Sequence, residues 1–136
     1  FFRNMSFRII QLENLSINIT KGNNNLSLSF KNAHIKKTMD DAEEKTLWTQ
    51  NGSIELRNIK KISNTYNQNE TILSISISYD FYTYKNIIVL PFMKKGGVDL
   101  EILFNNTKST LDISCSEMEV LLVDNPKYIK HIKKSE

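Results

Sequence analysis

The 136-residue chain carries 18 Lys and Arg against 15 Asp and Glu, a formal net charge of +3, and is 40% hydrophobic. That length suits one domain whose core needs neither disulfide nor metal, and a single cysteine excludes an internal disulfide. No run approaches the ~20 apolar residues of a membrane-spanning helix, and a modest Lys-biased surplus argues against nucleic acid, which calls for Arg and aromatics along a groove.

The first residues, Phe1-Phe2-Arg3-Asn4-Met5, show no basic region followed by an apolar stretch, so no signal peptide is predicted. The chain also starts without an initiator Met and reads as part of something longer. Strand-length apolar runs then recur at 6–12, 26–32, 33–39, 52–58, 71–79, 86–93, 98–104 and 110–123. Turn chemistry separates them: Gly22-Asn23-Asn24-Asn25, Asn51-Gly52, the segment 64–69, Gly96-Gly97 and Asn105-Asn106. The most regular run is Thr71–Tyr79, where alternation puts Leu73, Ile75, Ile77 and Tyr79 on one face and Ser74, Ser76 and Ser78 on the other. About eight short strands at this spacing predict an all-β sandwich or barrel.

Two stretches resist strand assignment. The acidic run Asp40-Asp41-Ala42-Glu43-Glu44 reads as a solvated turn. After Asn125-Pro126 the chain reads as a short basic C-terminal helix or tail, with Asn125 as cap and Tyr128, Ile129 and Ile132 at helical spacing. The predicted organisation is a domain over 1–124 and a basic tail or linker over 125–136.

Catalytic chemistry is thin. His34 and His131 are the only histidines, and neither stands near a nucleophile motif or a Gly-rich phosphate loop. Zinc needs two or more His or Cys ligands at short spacing, which the chain lacks. Cys115, in the apolar run Leu111–Cys115, reads as a buried reduced thiol, which fits a reducing compartment. The seven Asn-X-Ser/Thr sequons, among them Asn14, Asn18, Asn51 and Asn69, fit the Asn-, Ile- and Lys-rich bias of an AT-rich genome as well as glycosylation. The reading is non-enzymatic and without cofactor.

The order of elements resembles a C2 domain. Phe7–Leu15 is similar to that family's opening strand, Leu26–Phe30 to the second and the basic Ala33–Thr38 to the third. In Leu47–Leu56, Trp48 stands where the family often has an aromatic shortly before its fourth strand. Leu73–Phe81 then resembles the fifth strand with its Tyr-Asp ending, and Lys85–Pro91 the sixth. The resemblance implies an eight-stranded antiparallel β-sandwich of the permuted, type II connectivity. Calcium-binding members bring several carboxylates onto three loops, because calcium wants roughly six to eight oxygens. Here the loop 15–25 has no acid, and Tyr82 and Asn86 stand where acids would follow Asp80. Asp80 thus reads as a degenerate calcium position, and no metal is expected.

The resemblance also implies a basic lipid-binding patch on the third and fourth strands, matched by Lys31, His34, Lys36, Lys37 and Arg57. Phe81, Tyr82 and Tyr84 form a candidate contact loop for a bilayer interface or a protein partner. Two functions follow: a calcium-independent module that targets anionic membrane lipid from the cytoplasm, or a protein-interaction or scaffolding domain without lipid binding.

Overall fold

A computed structural model describes residues 6–39, 45–105 and 110–133. Ten strands fill it, and the described residues contain no helix: β1 (Ser6–Gln11), β2 (Ser16–Lys21), β3 (Leu26–Met39), β4 (Lys45–Ser63), β5 (Asn69–Tyr79), β6 (Tyr82–Lys85), β7 (Ile87–Leu90), β8 (Met93–Phe104), β9 (Thr110–Leu122) and β10 (Lys127–Ile132). The expected eight-stranded sandwich is replaced by a closed six-stranded barrel carrying four further strands. Closure comes from β3 pairing with β4, which completes the ring β4–β9–β8–β5–β2–β3. Every pairing in the ring is antiparallel.

Alternation builds the barrel interior. Ile17 and Ile19, Leu26, Leu28 and Phe30, Ile54 and Leu56, and Leu100, Ile102 and Phe104 all point inward and are buried. The segment expected to be the first calcium loop supplies β2, because Ile17 and Ile19 alternate with polar Ser16, Asn18 and Thr20. On β5, Ile72, Ile75 and Ile77 are inside while Leu73 is 41% exposed. The β5–β8 register shifts between Ile72 and Ser74. Such a bulge reverses the faces of everything beyond it, so the uniform inward face expected from Leu73 to Tyr79 begins only after it.

Strands β3 and β4 are longer than the barrel needs. A second bulge lies between Phe30 and Ala33, with Asn32 at φ 55°. Beyond it, residues 33–39 and 45–50 run on together as the centre of an open sheet of order β7–β1–β3–β4–β10, which we call the wing. Gly52 marks the same level on β4. A Cβ there would meet the Leu121 carbonyl oxygen and come 3.1 Å from Phe30, so only glycine lets the strands approach where barrel becomes wing. Ile10, Ala33, Ile35, Ile88 and Leu90 carry the barrel's apolar cluster into the wing.

The predicted C-terminal helix is absent; residues 127–132 form β10 on the free edge of β4. Its β-branched and aromatic residues suit a strand, and the Tyr128 ring meets Trp48 edge-on at 5.3 Å. Among the described residues β7 and β10 each pair on one side only and are the edges of the wing.

Candidate functional site: the β5–β6 tip

β5 and β6 form a hairpin closed by the pair Tyr79 and Tyr82, leaving Asp80-Phe81 as a two-residue turn. Asp80 has φ 55°, a left-handed conformation that Asp tolerates better than most residues. This turn leaves Phe81 fully exposed, at 101%, and Tyr82 at 63%.

The tip stands on an aromatic stalk. Tyr79 stacks on Tyr84 at 5.4 Å between centroids and meets Phe92 at 5.6 Å, and Tyr82 lies 6.4 Å from Tyr84. The Lys94 ammonium sits 5.6 Å over the Tyr79 ring and donates to Asp80 Oδ2 at 3.0 Å. Burial, with a hydrogen bond to Tyr84 behind it, pushes the Tyr79 phenol up to about 12, so that phenol stays uncharged at ordinary pH. Lys85 closes β6, three residues or ~10 Å along the strand from Tyr82, and both it and Lys95 are exposed.

Of the three aromatics predicted as a contact loop, Phe81 and Tyr82 form the exposed tip while Tyr84 is half-buried in the stalk. Asp80 binds Lys94, a partner that only the folded register could reveal. No group of three or more His, Cys, Asp or Glu side chains comes together among the described residues. The acidic run 40–44 lies outside them.

The five basic candidates fall into separate settings. His34 and Lys36 share the outer face of the wing, where Lys36 stands between Ile9 and Leu47. Lys37 faces the other way, opposite Arg8. Lys31 is exposed beside the β3 bulge. Arg57 lies on the barrel and donates to Glu117 at 2.5 Å and Glu119 at 2.9 Å. Those two carboxylates hold its guanidinium above its usual pKa and cancel its charge locally. Cys115 is buried, and burial pushes its thiol up to about 11, which makes it a poor nucleophile.

No family model, curated protein or solved structure matches the chain.

Proposed function

We propose that the chain is a non-catalytic, calcium-independent module that attaches to an anionic membrane surface through the β5–β6 tip. The observation that carries this reading is the fully exposed Phe81 beside Tyr82, on a hairpin braced by stacked aromatics. A Phe held in water contributes nothing to the fold; transferred into a bilayer interface it gains about 1.5–3 kcal/mol. Tyr82 suits the same boundary, apolar in its ring and polar at its hydroxyl. Lys85 and Lys95 would each add about 1 kcal/mol near an anionic leaflet. The sum is weak, reversible, salt-sensitive attachment. A stable protein interface buries roughly 800 Å² per partner, more than a two-residue finger can offer, and this favours a membrane over a protein partner for the tip.

Co-flotation with phosphatidylcholine vesicles, with and without phosphatidylserine, tests the reading in calcium and in chelator. Wild-type protein should float with the anionic vesicles equally in both. The double variant Phe81→Ser, Tyr82→Ser should lose roughly tenfold or more of that binding while keeping its melting temperature. Absence of flotation with every vesicle would reject membrane attachment and leave protein interaction as the function.

A further inference from the structure

Beside its apolar row, the inner face of the wing holds two cations and an amide oxygen that neither the fold nor the tip uses. Arg8 stands cross-strand from Lys37, which stands opposite Thr46. Ile10, Ile35 and Trp48 form the next row on that face, and Gln50, paired with Ala33, lies beyond. Arg8, Lys37, Trp48, Gln50, Leu90 and Pro126 line a recess of about 340 Å³ there.

Two features of this recess ask for a ligand. Like charges directly across a strand pair are unfavourable, and among the described residues neither the Arg8 nor the Lys37 side chain has an ion pair or hydrogen bond. The second is Gln50, only 7% exposed. Its Nε2 donates to the Asp124 carbonyl, which can only accept, so the amide orientation is fixed and Oε1 is left buried without a partner. The Asp124 carboxylate itself is taken by the Asn51 side chain at 2.8 Å and its backbone N–H at 3.1 Å.

We propose that this recess binds the extended C-terminal segment of a partner protein, with its free carboxylate on Arg8 and Lys37. An apolar side chain lies on Trp48 and Leu90, and a main-chain N–H donates to Gln50 Oε1. From Thr46 to Gln50 is four residues of β4, ~13 Å, which an extended peptide covers in about three to four residues. A fatty acid matches the cations and the apolar floor but brings no donor for Gln50. The proposal uses no tip residue, so it and the membrane reading stand or fall separately.

Trp48 is the single tryptophan and lines the recess, so its emission reports occupancy. The intact chain is titrated with an N-acetylated tetrapeptide ending in leucine, with the same peptide as its C-terminal amide, and with decanoate. The free acid should shift Trp48 emission saturably, and the amide should bind at least roughly tenfold more weakly, because a charge-assisted contact is lost. Arg8→Gln with Lys37→Gln should weaken the acid by a similar factor with circular dichroism unchanged; if that variant misfolds, the acid–amide comparison on wild type decides alone. Equal binding of acid and amide, or no saturable change at millimolar peptide, overturns the proposal. Tighter saturation by decanoate overturns it too and gives the recess to a fatty acid.

Discussion

In the barrel, each of the six strands has a hydrogen-bonded neighbour on both sides, and the inward side chains are almost wholly removed from water. In the wing, built from the continuation of two of the same strands, β7 and β10 each pair with one described strand only, and Phe7, Val89, Tyr128 and Ile129 remain about half exposed. One pair of strands thus serves two purposes: closure concentrates burial and stability at one end, and openness presents side chains at the other. The chain supplies one natural reporter for each region, with its single cysteine inside the barrel and its single tryptophan in the wing.

The largest test of this division is Leu56→Ala. Leu56 is completely buried between β3 and β9, and its truncation should cost about 2–5 kcal/mol in urea unfolding. A loss well below that range would mean that the barrel is not where stability resides. Next comes the pH dependence of Cys115. Its folded pKa, raised to about 11 from 9.0 by burial, lies above its unfolded value. The unfolded thiol therefore ionises first, so its contribution is fully present below pH 9 and is lost as pH rises to 11, at about 1.4 kcal/mol per pH unit. Comparing unfolding of wild type and Cys115→Val between those limits isolates the effect; parallel pH profiles would contradict it. Smallest is Tyr128→Ala, which removes the edge-on contact with Trp48 and should cost about 0.5–1.5 kcal/mol. Trp48 emission should move to the red while Cys115 stays inert to alkylation; increased thiol reactivity would show that barrel and wing open together.

The sequence showed much of the strand content because alternation is local. Leu100, Ile102 and Phe104 point inward as their spacing says. What it hid depends on partners far along the chain. The barrel closes because residues 26–30 meet 52–56, and no local period records that meeting. The bulge at Leu73 is equally silent, since Thr-Ile-Leu-Ser reads as continuous alternation until β8 pairs with it in shifted register. β2 was hidden because the resemblance assigned residues 15–25 to a loop, although Ile17 and Ile19 already alternate there with polar residues. In the tail, the spacing of Tyr128, Ile129 and Ile132 fits a helix; the open edge of β4 makes it a strand. Of the candidate sites, the exposed tip aromatics were legible because an aromatic run follows a strand ending. Lys94 on Asp80, the acids around Arg57 and the opposed faces of Lys36 and Lys37 required register.

The outer edge of β10 bears on how copies of this chain meet one another. The edge of a sheet is where a further strand can pair, and a second copy is the most abundant candidate in concentrated solution. β10 begins with Lys127 and is followed by Lys133. Two copies laid antiparallel edge to edge would set Lys127 of each near Lys133 of the other, and like charges across a strand pair are unfavourable. Lys127 and Lys133 therefore weigh against pairing of this edge with a second copy, while an acidic strand would face no such repulsion.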